Sequence, residues 1–203
     1  MSNTKKIIHE LKHHTPLTII ASVTAIIVTF LCLYLLKSII TEDTFHSLHL
    51  IHLFASAFVS AAIFYKYKNN IFSSTIVGVI SAILIGSISD IIFPWLGGQV
   101  LFLKTTFHLP LLEIPLLILG ISILGSLAGI WLKKTKFPHF LHVFLSAFAS
   151  LFYILTFSPQ LNAIFIILSI IIIFIAVIIP CCVSDIIMPF LFLKQDIKQC
   201  NCH

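Results

Sequence analysis

The chain has 203 residues, 59% of them hydrophobic and only 9% charged, which leaves too little polar surface to cover a water-soluble globule. Its solvent is therefore lipid, and a soluble fold is excluded. The net charge of +5 rests on twelve basic residues, all lysines and mostly set between apolar runs; that distribution orients membrane spans rather than binding nucleic acid.

Residues 1–15 precede the first apolar run and are expected as a cytoplasmic segment. They contain His9-Glu10-Leu11-Lys12-His13 and His14, formally the H-E-x-x-H pattern in which two histidines one turn apart hold zinc beside a glutamate base. A hydrocarbon layer about 30 Å thick needs about 20 apolar residues of helix, and six stretches meet or approach that: 16–36, 48–65, 71–96, 110–132, 140–157 and 161–193. The first is long enough to span and has no small-residue cleavage site after it, so it reads as a retained span. The last is overlong and interrupted by Pro180, which predicts a broken or tilted helix.

With the N-terminus inside, Lys5, Lys6, Lys12, Lys66, Lys68, Lys133, Lys134, Lys136, Lys194 and Lys198 all fall on the cytoplasmic side, and only Lys37 and Lys104 fall outside. That asymmetry predicts a multi-pass protein of the cell membrane with both termini cytoplasmic.

The sequence also repeats itself. His49-Leu-Ile-His52-Leu-Phe-Ala-Ser56-Ala-Phe58-Val-Ser60 matches His139-Phe-Leu-His142-Val-Phe-Leu-Ser146-Ala-Phe148-Ala-Ser150, and Ser89-Asp90-Ile-Ile-Phe-Pro94 matches Ser184-Asp185-Ile-Ile-Met-Pro189. A weaker match aligns Pro16-Leu17 with Pro115-Leu116 and sets His14 opposite Glu113. The expected fold is thus an all-α integral membrane protein of about six spans in two three-helix repeats, 16–96 and 110–193. An external connection, 97–109, joins them, and a Cys/His tail, 194–203, follows. An odd number of spans per repeat inverts the second copy in the bilayer, as in many secondary transporters.

At about 100° per residue, His49, His52, Ser56 and Ser60 share one helix face, as do His139, His142, Ser146 and Ser150. Such a stripe turns away from lipid. The serines alone are expected as close-packing small residues, whereas the paired histidines point to a function. Asp90 and Asp185 each sit in an apolar span, where an aspartate costs about 2.5–3.5 kcal/mol on insertion scales. Capping of broken backbone amides is the structural alternative for both.

The predicted topology sorts these groups by side. His46, His49, His52, Asp90, His108 and Glu113 fall outside; His139, His142, Cys181, Cys182, Asp185, Glu10 and His14 fall inside. Imidazole, carboxylate and thiolate are ligands for Zn(II), Fe(II) or Mn(II), and the two sets are expected as loading and release stations for one ion. The remaining cysteines do not form a disulfide framework, and Cys200-Asn-Cys202-His203 reads as a soft-metal capture tail.

Lys136-Phe-Pro-His139-Phe-Leu-His142 and Pro180-Cys-Cys-Val-Ser-Asp185-Ile-Ile-Met-Pro189 resemble a family of small, uncharacterised prokaryotic integral membrane proteins, and the resemblance covers most of the chain. The Ser-Asp-x-x-x-Pro element is also loosely similar to one in heavy-metal exporter permeases, which are longer, with about ten spans. That resemblance implies a shared broad class and no particular ion, direction or energy source.

The expected function is a permease for divalent or soft transition-metal cations. The alternative is a membrane-embedded metal-dependent hydrolase with Glu10 or Asp185 activating water; a haem or quinone protein using facing histidines fits the neighbouring carboxylates poorly. No phosphate loop, dinucleotide-binding glycine pattern or nucleophile elbow is present, so energy is expected from a gradient or a partner. The expected partners are the bilayer and metal ions, and a homodimer would bury further polar surface.

Overall fold

The computed structural model describes residues 3–35, 39–132 and 136–158, with side chains at 16, 19–35, 39–132 and 140–158. Every regular element among the described residues is helical: α1 (Asn3–Leu35), α2 (Glu42–Tyr67), α3 (Ile71–Ser87), a π-helical turn (Ile88–Ile92), α4 (Phe93–Val100), α5 (Pro110–Glu113), α6 (Pro115–Leu132) and α7 (Lys136–Phe157). Four helices are long and apolar enough to cross a membrane: Glu42–Tyr67, the continuous Ile71–Val100, Pro115–Leu132 and Phe140–Phe157. Within α1, Ile19–Leu35 is a shorter apolar helix. The sixth expected span lies outside the described residues.

Helix boundaries follow from local chemistry. Thr41 caps α2 through its hydroxyl, which accepts from the Thr44 N–H, and Glu42 and Asp43 in the first turn complement the helix dipole. Asn70 caps α3 in the same way through Ser73. The fourth span begins at Pro115 rather than at the expected 110. Ile114 precedes that proline and is pushed out of the helical region, to φ −126°, and this separates α5 from α6.

Glycine lets the backbones close on one another. A β-carbon at Gly125 or Gly129 would run into the carbonyls of Phe54 and Phe58, so this small-x-x-x-small step seats α6 directly against α2. Because 54 meets 125 and 58 meets 129, α2 and α6 run in the same direction. Near one end of α2, Phe45 packs on Tyr153 and Phe157, while further along His52 meets His142; α7 therefore runs antiparallel to α2. Ala21 and Ala25 of α1 pack on Val143, Ala147 and Leu151 of α7.

Polar and apolar side chains are sorted inside out relative to a soluble protein. His49, His52, Ser56, Ser60, Asp90, Ser122, Ser126, His142, Ser146 and Ser150 are each no more than 1% exposed, whereas Ile20, Ile27, Phe72, Leu116, Leu124 and Trp131 are largely exposed. An apolar exterior over a polar interior is what a hydrocarbon solvent selects.

Candidate functional site

Pro94 has no N–H to donate to the Asp90 carbonyl four residues back, so the α-helical ladder fails there. The chain responds with a π-turn over Ile88–Ile92, in which the Phe93 N–H reaches back to the Ile88 carbonyl, and the helix then continues to Val100. The extra residue in this turn aims Asp90 into the bundle; π-turns of this kind concentrate at functional sites.

Asp90 is completely buried and both of its oxygens are used. Nδ1 of His49 lies 2.8 Å and Nδ1 of His52 2.6 Å from Oδ2. The hydroxyls of Ser89 and Ser146 donate to Oδ1 at 2.8 and 3.1 Å. The Ser150 hydroxyl lies within bonding distance of two carbonyl oxygens, Ser89 at 3.0 Å and Ser146 at 2.7 Å, which ties α7 to the π-turn. The capping alternative is not what the geometry favours, since these partners of the carboxylate are side chains and not backbone amides.

An imidazole that donates Nδ1–H to a carboxylate carries its lone pair on Nε2, and this carboxylate–histidine pairing is how proteins orient metal-binding imidazoles. The His52 ring stands 4.8 Å from that of His142, centre to centre. The donor set also fits a cation directly. One ligand atom from each of His49, His52 and Asp90 lies within 4.8 Å of the others. Ligands of a tetrahedral ion lie about 3.3 Å apart, so an ion replacing the bridging protons needs the Nδ1–Oδ2 pairs, now at 2.8 and 2.6 Å, to open by about 0.5–0.7 Å.

A second cluster stands at the start of α2. Glu42, His46, His108 and Glu113 bring one ligand atom each to within 4.8 Å of the others. Glu42 did not emerge from the sequence, because an acidic residue in a first helical turn is already explained by the helix dipole.

The expected outer set is thus two separate clusters rather than one. His49, His52 and Asp90 form the buried site, and Glu113 belongs with His46 and His108 at the rim. His142, assigned by sequence to the inner set, stands instead beside His52. Ser146, expected only as a packing residue, binds Asp90. The side chains of Glu10, His14 and His139 lie outside the described residues, as do Cys181, Cys182 and Asp185.

No protein-family model matches this chain, and no curated protein or solved structure is significantly similar to it.

Proposed function

We propose that the protein is a membrane permease for divalent first-row transition-metal cations such as Zn(II), Fe(II) or Mn(II), with Asp90, His49 and His52 as the transport site and His142 beside it. The observation that carries this reading is the fully buried carboxylate with two imidazoles converging on one of its oxygens inside an apolar span. A group so costly to bury is retained for function by default.

Depth supports the reading. His52 lies ten residues beyond Glu42 in the 26-residue α2, in the middle third of a helix long enough to cross the hydrocarbon. Transporter sites sit at that level, where two repeats meet. The sequence mates His52 and His142 face each other across antiparallel helices, as a two-fold axis lying in the membrane plane between them requires, and this supports the inverted repeat. Rocking of the halves about that axis exposes the site to each side in turn, with the N-terminus facing the cytoplasm as the lysine distribution predicts. The imidazole lone pairs hold either a proton or the ion, so metal passage and proton passage are linked.

The test is zinc flux into proteoliposomes that contain a zinc-sensitive dye. Asp90→Asn keeps the shape and removes the charge; flux is expected to fall by at least about tenfold, the usual cost of disrupting a carboxylate that orients metal-binding histidines. Wild-type flux in this variant would overturn the proposal.

A further inference from the structure

Four chemistry-bearing side chains at the rim take no part in the buried triad, and they come from three separate pieces of chain. Glu42 and His46 lie one turn apart on α2; His108 ends the connection after α4; Glu113 closes α5. His46 Nε2 and His108 Nε2 approach to 2.7 Å with their rings stacked, centroids 5.0 Å apart. Glu42 Oε1 lies 3.5 Å from His108 Nε2, and Glu113 Oε1 lies 3.3 Å from His108 Nδ1.

Two imidazole nitrogens at that distance cannot both carry protons facing each other. The pair can share one proton, and a cation in its place requires the nitrogens to part to about 3.3 Å; two carboxylates stand ready to balance a positive guest. Two nitrogens and two carboxylate oxygens make a donor set suited to Zn(II) and its first-row neighbours.

The connection is built to deliver His108. Phe102 and Lys104 adopt positive φ, 56° and 51°, a conformation that residues with a β-carbon rarely take. The strand of chain is then pinned to the end of α7: the Thr106 N–H donates to the Phe157 carbonyl, the His108 N–H donates to the Tyr153 hydroxyl, and that hydroxyl donates to the Thr106 carbonyl. Phe157 stacks on the His108 ring at 4.6 Å. The result is a histidine with a fixed backbone and a fixed ring plane, 12% exposed, between two glutamates that are each about half exposed.

This cluster is walled off from the triad. Phe45, wholly buried, has its ring 5.8 Å from His49 on one side and 6.4 Å from His108 on the other, and Tyr153 and Phe157 complete the aromatic layer. A ligand at the rim therefore need not involve Asp90.

We infer that Glu42, His46, His108 and Glu113 form a second, water-accessible site for a divalent transition-metal cation at the membrane surface, separated by one aromatic layer from the buried triad. It stands on its own geometry and does not require that the protein transport anything.

Zinc bound per full-length chain in detergent is measured by equilibrium dialysis and mass spectrometry. His46→Ala/His108→Ala is expected to lose one zinc relative to the wild type, or to bind it at least about tenfold more weakly, whereas Asp90→Asn retains it. A membrane-impermeant chelator added to sealed vesicles is expected to strip this zinc at once. The double variant Glu42→Gln/Glu113→Gln alters only half-exposed groups and is expected to weaken the same site, so it decides the matter if the histidine variant fails to fold. Equal zinc stoichiometry and affinity in wild type and the folded variants overturns the inference. Absence of flux in proteoliposomes, with rim zinc present, defeats the permease proposal alone.

Discussion

Asp90 accepts at both oxygens, and its four partners are not equivalent in how visible they were. His49 and His52 stand out in sequence because imidazole beside carboxylate in an apolar run has no cheap structural explanation. Ser146 does not stand out, since serine packs well between membrane helices without any partner beyond its own backbone. Ser122 shows that ordinary case, its hydroxyl donating to the Ile118 carbonyl one turn back. Replacing Ser146 by alanine removes a bond to a buried carboxylate, worth about 1.5–3 kcal/mol. Thermal unfolding in detergent is expected to show that loss for Ser146→Ala and little change for Ser122→Ala; equal stability of the two variants would deny Ser146 its role.

At the scale of elements, the Ser-Asp-Ile-Ile-x-Pro stretch reads from sequence as a break near a helix end. The chain instead inserts a π-turn and carries on to Val100, because only one hydrogen bond is lost to Pro94 and a shift to five-residue spacing repairs the ladder around it. Pro94→Ala restores the missing N–H and lets residues 88–92 rewind as α-helix, which rotates Asp90 away from the two histidines. Helix content by circular dichroism is expected to stay unchanged while zinc affinity at the buried site falls by about tenfold or more. Unaltered affinity would mean that the turn does not position the carboxylate.

For the whole molecule, the repeat makes a demand that no single element makes. Asp185 is the sequence mate of Asp90 and lies outside the described residues; its importance rests on that match alone. In a permease with two equivalent halves, Asp185→Asn is expected to reduce proteoliposome zinc flux about as severely as Asp90→Asn. A hydrolase with one working site would tolerate one of the two substitutions, and wild-type flux in Asp185→Asn would remove the symmetric scheme. Composition and the placement of apolar runs were enough to determine an all-helical fold with helices long and apolar enough to cross a membrane, because lipid tolerates only apolar side chains outside and hydrogen-bonded backbone throughout. The same logic of cost picked out Asp90, His49 and His52. Which groups meet was decided by tertiary structure: the glycine-mediated approach of α2 and α6, the antiparallel crossing of α2 and α7, and the folded-back connection that brings His108 to His46. These contacts join residues at least 62 positions apart in sequence, His46 and His108 being the nearest such pair, and periodicity along one helix assigns a face but not the partner that the face will find.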